Sequence, residues 1–298
     1  MTEATAPSGN PAAGSHGSTR WRPRLGWVAA FAIAVVTVLL VVGVLGPWIA
    51  PYGATEASLA ARLKPPAWLD GGSWAHPLGT DPVGRDILSR LIIGTRITLS
   101  VAVAALLVGT VVGTALGLVA GYFGGVLDKA IMRLTDVAIG FPIILVALLL
   151  AVASAPRAEN VVISVSLILW SRFARVVRAE VLSLRERDYV ALARVSGVSG
   201  MRIMLTHLLP NVTNTVIVLA SLQIGFTILT EASLSFLGAG IPPPAPAWGA
   251  MVAEGRNYVV QAWWVPTMPG LAILVAVLAF NLLGDWLRDT LDPKLRQL

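Results

Sequence analysis

The chain has 298 residues, of which 56% are hydrophobic and 13% are charged. Soluble domains are typically about 45–50% apolar and about 25% charged, so this composition excludes an ordinary water-soluble domain. The absence of Cys and the presence of only three, scattered His residues exclude disulfides, thiol nucleophiles and a recognisable metal site.

The N-terminal part divides into a polar tail and a long apolar segment. Residues 1–24 are predicted to be a disordered cytoplasmic tail, because most of them are Gly, Pro, Ala, Ser and Thr with little apolar surface to bury. The segment 25–50 contains an apolar run of about 22 residues, which exceeds the roughly 7–15 residues of a signal peptide. We therefore predict a retained transmembrane helix there.

Further apolar segments have the length of a membrane span. A bilayer core about 30 Å thick needs about 20 apolar residues in a helix. Five more segments meet that length, namely residues 97–121, 134–153, 161–177, 212–236 and 269–286. The predicted fold class is therefore all-α, a polytopic membrane protein with six transmembrane helices.

The basic residues predict how these helices are oriented. With the N-terminus placed in the cytoplasm, 15 of the 22 Lys and Arg residues fall on the cytoplasmic side. Positive charge is enriched in cytoplasmic connections, so we expect both termini, including residues 287–298, in the cytoplasm of a multi-pass inner-membrane protein. The net charge of +6 then follows from membrane topology, and no nucleic-acid partner is needed to explain it.

The first outer connection, predicted at residues 51–96, ends in a charged segment. Arg85, Asp86, Arg90 and Arg96 alternate there with apolar residues, which favours an amphipathic helix lying on the membrane surface. A contact with a partner protein is the alternative. Aromatic anchors at the membrane interface are predicted at Trp248, Trp263 and Trp264.

The longest inner connection, at residues 178–210, predicts a helix, a tight turn and a second helix. Tyr189, Leu192 and Val195 recur at helical spacing. Gly197 can adopt the left-handed conformation that ends a helix, and a second helical stretch at 202–209 runs to Pro210. The periodicity alone also allows a solvated amphipathic loop whose arginines serve topology.

This connection resembles the cytoplasmic loop of binding-protein-dependent ABC importers. That motif is Glu-Ala-Ala, three residues, Gly, nine residues, Ile, one residue and Leu-Pro. Gly197 is followed by nine residues and then by His207-Leu208-Leu209-Pro210, and Ala193 also fits. Ala191 stands where Glu is usual, Leu192 replaces an Ala and His207 replaces the Ile.

Four further segments resemble the C-type permease subunit of the dipeptide and oligopeptide (peptide/nickel) ABC importers. They lie at residues 76–100, 128–150, 231–251 and 280–297, and the resemblance extends from Leu25 to the C-terminus. It implies a type I ABC importer permease fold with a core at residues 97–286. It also implies a second permease subunit, two cytoplasmic ATPase subunits, an extracytoplasmic substrate-binding protein and surrounding membrane lipid as partners.

The resemblance assigns ATP and Mg to the ATPase subunits and no cofactor or metal to this chain. Consistently, the sequence has no Gly-x-x-x-x-Gly-Lys-Ser/Thr loop to hold ATP phosphates, so we expect a transport subunit and not an enzyme. The inner connection would be the loop that couples to the ATPases. Its implied residues are Asp188, Tyr189, Ala191, Ala193, Arg194, Gly197 and Pro210. Glu186, Asp188 and Arg194 are the candidates to replace the charge absent at Ala191.

Two sets of residues inside the spans carry further predictions. Small residues at a four-residue period share one helix face and predict close helix packing, with a moving interface as the alternative. These are Gly109, Gly113, Gly117 and Gly121. Glu231, with Gln223 and Thr227 at compatible spacing, either lines a substrate pathway and attracts an ammonium group or caps the turn after its helix.

The predicted function is import of dipeptides and oligopeptides across the cytoplasmic membrane. Permeases for nickel chelates, haem or glutathione share these signatures and stay open as alternatives, as does a passive channel. An intramembrane enzyme is disfavoured, because no buried nucleophile with a base and no His-Glu-x-x-His or Gly-x-Ser-x-Gly motif occurs.

Overall fold

The computed structural model describes residues 26–291, and the predicted disordered tail and residues 292–298 lie outside this range. The described residues form ten α-helices, two short 3-10 helices, one π turn and no strand, which confirms the all-α class. The helices are α1 (Trp27–Ile49), α2 (Ile87–Phe123), α3 (Gly125–Gly140), α4 (Ile143–Ser154), α5 (Ala158–Leu184), α6 (Asp188–Val195), α7 (Gly200–Ile203), α8 (Leu209–Phe236), α9 (Trp248–Gly255) and α10 (Trp264–Leu291). Five helical segments are long and apolar enough to cross a membrane, or six if the bent pair α3–α4 is one span.

Helix α2 begins ten residues before the predicted span. The Asp86 side chain caps it by accepting a hydrogen bond from the Ser89 backbone N–H at 2.7 Å, which satisfies one of the free donors of the first turn. The last ten residues of the predicted outer connection 51–96 are therefore the first ten residues of this helix. Arg90 and Arg96 belong to this 37-residue helix, Asp86 caps it and Arg85 precedes it, so these charges do not form a separate helix on the membrane surface.

The third predicted span, residues 134–153, is not one straight helix. Helix α3 ends at Gly140, α4 begins at Ile143, and their axes differ by 83°. Pro142 lies at the break. Proline has no N–H and disfavours helical geometry in the residue before it, so α3 ends at Gly140, before Phe141, although apolar residues continue on both sides.

Helices α2 and α5 run parallel and pack closely. A Cβ atom at Gly109 would lie within 3.0 Å of Leu169, and one at Gly121 would lie within 3.0 Å of Val181. The residue numbers therefore increase in the same direction along both helices. The pair α3–α4 provides the return path between them. We call the end of the bundle that holds α6 and α7 the α6 end, and the opposite end, with the connection 50–86 and α9, the α9 end.

Pro210 does not end the second helix of the inner connection as predicted. A π turn at Met204–Leu208 joins α7 to α8, so that helical structure continues from Gly200 to Phe236. Because Pro210 lacks an N–H, the regular hydrogen-bond pattern is interrupted at this position, and a local change to π geometry is a common response. Likewise, α10 begins at Trp264 and contains Pro269, where the predicted span began.

Two of the three predicted interface tryptophans are buried at the α9 end. Trp248 is 1% exposed, and its indole N–H donates to the Leu91 carbonyl at 3.1 Å. The Trp264 N–H donates to the Thr80 carbonyl at 3.3 Å. The interface prediction is wrong for both, because each indole finds a partner inside the chain. Trp263 is exposed.

Candidate functional site

The inner connection folds as the predicted helix, tight turn and helix. Helix α6 ends at Val195, and Gly197 has φ +75°, the left-handed conformation predicted for it. The Gly197 N–H donates to the Arg194 carbonyl at 3.0 Å, and the Val198 N–H donates to the Ala193 carbonyl at 3.1 Å. These bonds satisfy carbonyls at the helix end and fix the reversal of the chain.

One side of α6 anchors the hairpin to the membrane helices. Val190 is fully buried and belongs to a cluster formed by the α6 end of the bundle. The other buried members are Leu118, Val177, Val181, Ile203, Met204, Leu208 and Val212, from α2, α5, α7, the π turn and α8. The Arg194 guanidinium also lies 5.2 Å from the centre of the Tyr122 ring. The hairpin is therefore held by contacts to four neighbouring elements.

The other side of the hairpin presents apolar side chains to the surroundings. Leu192 is 67% exposed and Val195 is 88% exposed, at the end of the bundle where the chain leaves the membrane helices. Tyr189, Met201 and Leu205 are also exposed. Several exposed apolar side chains at one end of a molecule are typical of a protein interaction surface. We call these five residues the docking face.

Most of the coupling residues that the resemblance implied lie at this surface. Asp188, Tyr189, Ala191, Arg194, Gly197 and Pro210 are exposed, and Ala193 is half-buried. Leu192 and Val195 were not among the implied residues. The sequence does contain a pattern that could have identified them, because Leu192 and Val195 continue the helical spacing that begins at Tyr189. In the structure, the chain leaves that side of the helix uncovered. Of the candidates to replace the missing charge, Glu186 pairs with Arg185 at 3.0 Å.

The three predicted pathway residues lie in the second half of α8. Gln223 is half-buried and its side-chain oxygen accepts a hydrogen bond from Arg172 of α5 at 3.0 Å. Thr227 is fully buried and donates to the Gln223 backbone carbonyl at 2.8 Å. Glu231 is fully buried as well. Of the three, Gln223 alone reaches the surface of the chain, and the pathway role of the set stays a prediction.

The contacts of Glu231 agree with the alternative in which it holds the turn after α8. One carboxylate oxygen accepts a hydrogen bond from the Ser235 hydroxyl at 2.8 Å, and the other has no partner among the described residues. The Ser235 oxygen in turn accepts from the Ile241 backbone N–H at 3.2 Å. Glu231 thus positions the Ser235 side chain, which in turn holds the Ile241 backbone near the end of α8.

A buried ion-pair network at the α9 end was not predicted. Asp81 accepts hydrogen bonds from Arg85 at 2.5 Å and from Arg90 at 2.6 Å, and Glu254 of α9 accepts from the same two arginines at 2.8 and 2.7 Å. Arg90 is 1% exposed. The network connects the long N-terminal connection, the start of α2 and α9. Arg85 and Arg90 of the predicted surface helix are therefore paired inside the chain, whereas Arg96 lies outside the network and is exposed.

Comparison with known proteins decides the family. Residues 113–297 match the family of binding-protein-dependent transport system inner membrane components. The chain belongs to this family. The match covers α5, the α6–α7 hairpin and α8 in full, so the docking face lies within the region that defines these inner membrane components.

Relatives of this inner membrane component include permeases of several transport systems. The chain is 45% identical to the dipeptide transport system permease protein DppC of Escherichia coli K12, over 90% of each chain. It is 42% identical to the di/tripeptide transport system permease protein DppC of Pseudomonas aeruginosa, over 84% of this chain and 82% of the relative. It is 43% identical to the glutathione transport system permease protein GsiD of Pectobacterium atrosepticum, over 90% and 88%.

A solved structure supports the fold. A chain of the MetNI methionine ABC transporter, in an inward-facing conformation, superposes with a TM-score of 0.53 at 17% identity. The superposition covers 68% of this chain and 96% of that chain. The predicted type I ABC importer permease fold is therefore confirmed.

Proposed function

We propose that this chain is one of two membrane permease subunits of an ATP-driven importer of dipeptides and short peptides. The observation that carries the proposal is the 45% identity, over 90% of both chains, to a dipeptide permease. The di/tripeptide permease at 42% identity supports the same substrate class.

The docking face supports coupling to a cytoplasmic ATPase through α6. A short helix on a glycine turn, fixed to four membrane elements by its buried side, transmits force as a rigid body. Its exposed apolar side is available to a groove in a partner. The arginine-rich character of this end of the chain supports a cytoplasmic location for it and for both termini. ATP and Mg would be bound and used by that partner, since this sequence has no loop of its own for the phosphates.

Transport would proceed by alternating access of a site between this permease and a second one. ATP shifts the equilibrium between outward and inward access only if it stabilises one arrangement of the ATPases over the other, and the α6–α7 hairpin would transmit that difference. A substrate-binding protein would deliver the peptide at the α9 end. No catalytic group of this chain is required in the cycle.

Glutathione is the second candidate substrate. The glutathione permease of Pectobacterium atrosepticum is 43% identical over 90% of this chain, close to the value for the dipeptide permease. Glutathione is itself a small peptide, so the two candidates differ in the cargo and not in the mechanism.

Purification of the chain from its native membrane in mild detergent, followed by mass spectrometry and uptake assays, tests the proposal. We expect recovery with a second permease and one or two ATPases, and ATP-dependent uptake of a labelled dipeptide that is lost when the gene is deleted. Unlabelled glutathione serves as the competitor that separates the two substrates. Purification of the chain alone, while a known importer of the same membrane stays intact, would refute the importer and reopen the passive channel.

A further inference from the structure

Arg172 lies near the middle of helix α5. It is the fifteenth of the 27 residues of α5, and its partner Gln223 is the fifteenth of the 28 residues of α8. At about 1.5 Å per residue, each is about 20 Å from either end of its own helix. The two helices therefore bring these side chains together midway along both helices.

The contacts of Arg172 leave its charge without a counter-charge. Its guanidinium donates one hydrogen bond to the Gln223 side-chain oxygen at 3.0 Å and lies 4.5 Å from the centre of the Phe226 ring. Both groups are neutral. Two other arginines of α5 have carboxylates, because Arg175 pairs with Asp136 at 3.0 Å and Arg178 pairs with Asp128. Within residues 26–291, no carboxylate forms an ion pair with Arg172.

An arginine in this position needs an anion or water. A charged side chain inside a membrane span is costly and generally faces a water-filled path or a partner charge. Arg172 is only half-buried, and 22% of the most apolar part of the helix that includes α8 is buried within the chain. The guanidinium is therefore partly accessible, beside a helix that this chain leaves largely uncovered.

The geometry favours a carboxylate as the occupant. Guanidinium has five N–H donors in a planar fork, and one of them is used by Gln223. The Phe226 ring lies 4.5 Å from the guanidinium carbon and holds that group beside α8, so its remaining donors can bind both oxygens of one carboxylate. Every unmodified linear peptide has a C-terminal carboxylate, whatever its side chains. A single fixed arginine can therefore recognise peptides of many sequences.

We propose that Arg172, oriented by Gln223 and Phe226, binds the C-terminal carboxylate of the peptide as it passes the middle of α5 and α8. This site rests on the proposed peptide import and specifies the chemical group that the permease itself recognises. Arg172 would contact the peptide while it crosses the permease, whereas the binding protein delivers the peptide to the permease.

The test uses the whole importer, reconstituted in proteoliposomes with its second permease, its ATPases and its binding protein. ATP-dependent uptake is measured for labelled alanyl-alanine and for its C-terminal amide, each at a concentration that saturates the binding protein. The variants are Arg172→Gln, which removes the charge, and Arg172→Lys, which retains it. Arg175→Gln is the matched control, since Arg175 lies one turn away on the same helix and is exposed.

We expect Arg172→Gln to lower alanyl-alanine uptake about tenfold, the scale of a lost hydrogen-bonded charge contact, and to leave uptake of the amide at its wild-type level. Arg172→Lys should retain most of the alanyl-alanine uptake, and Arg175→Gln should leave both substrates unchanged. Unchanged alanyl-alanine uptake in Arg172→Gln, or equal slowing of both substrates, would overturn the site. So would loss of the second permease from the Arg172→Gln complex, because Arg172 would then be paired with that subunit. Failure of the wild-type complex to import either substrate would instead refute the proposed function.

Discussion

Glu231 shows how a single buried carboxylate can be structural in a membrane helix. Its side chain is fully buried and faces its own chain, with one oxygen bonded to Ser235 at 2.8 Å. Ser235 also holds the Ile241 backbone. The carboxylate therefore lies under the turn that leads from α8 to α9, and not on the surface of the chain.

Glu231→Gln tests this structural role. Gln has the same shape and its side-chain oxygen can still accept the hydrogen bond of Ser235, so we expect peptide uptake within about twofold of the wild type. Glu231→Ala removes the acceptor, and we expect it to lower the thermal stability of the purified complex. A large loss of uptake in Glu231→Gln with unchanged stability would show that the charge itself acts on the substrate.

Arg90 is the buried centre of the network at the α9 end. It bonds to Asp81 and to Glu254, and its replacement by Met leaves these acidic groups without one of their two arginines. Breaking a buried pair in this way typically costs about 3–5 kcal/mol. We expect Arg90→Met to lower the melting temperature of the complex, measured by thermal denaturation in detergent.

The control for that measurement is Arg96→Met on the same helix. Arg96 is exposed, so its replacement should leave the melting temperature nearly unchanged. Equal melting temperatures for Arg90→Met and the wild type would contradict a stabilising network.

At the scale of elements, the close approach of α2 and α5 depends on their small residues. A Cβ atom at any of Gly109, Gly113, Gly117 and Gly121 would come within 3.0 Å of an atom of α5. At Gly113 the nearest atom is the Trp170 backbone oxygen, which cannot move without the helix. Lipid offers no hydrophobic drive for association, so this close contact is what packs the pair.

Gly113→Ala tests how much this close contact stabilises the complex. Overpacking of a close interface typically costs about 1–3 kcal/mol, so we expect a lower melting temperature and a reduced yield of assembled complex. Gly270→Ala is the matched control, because a Cβ atom at Gly270 of α10 would meet nothing within 4 Å. If both variants melt at the wild-type temperature, the glycine face is not a tight interface in the membrane.

At the scale of the whole molecule, the hairpin at the α6 end depends on the backbone of one residue. Gly197 has φ +75°, and a Cβ atom there would meet nothing within 4 Å, so conformational strain is the only expected effect of a side chain. Val strongly disfavours this conformation, whereas Asn tolerates it.

Gly197→Val should therefore uncouple the importer. We expect the variant to reach the membrane and its ATPases to hydrolyse ATP, while peptide uptake falls about tenfold, the scale of 1–3 kcal/mol of backbone strain. Gly197→Asn should retain uptake. Normal uptake by the Val variant, measured in the same proteoliposomes, would refute the need for this turn.

The docking face gives a further whole-molecule prediction. Val195→Asp places a charge in an apolar contact, so we expect the ATPase subunits to be lost when the permease is purified. Val260→Asp is the control, since Val260 is 97% exposed at the opposite end of the molecule. Retention of the ATPases by Val195→Asp would show that α6 does not bind them.

The sequence was sufficient for the features that depend on local chemistry. Apolar length identified the spans, since a helix must cross about 30 Å of hydrocarbon whatever its neighbours are. Glycine chemistry identified the turn at Gly197, where φ is +75°. Motif spacing identified the family, which the match at residues 113–297 shows.

Only the tertiary structure decided which charges and aromatic residues are buried. The sequence around Arg90 predicts a surface helix, because Glu254, which neutralises the charge of Arg90, is 164 residues away and belongs to another helix. Trp248 is predicted at the interface for the same reason, since its acceptor at Leu91 is 157 residues away in the sequence. Hydropathy likewise did not show the break at Pro142, because apolar residues continue on both sides of it. The local sequence pattern determines whether a segment is a helix or a turn. Whether its polar groups can be buried depends on hydrogen-bond partners that are distant in the sequence.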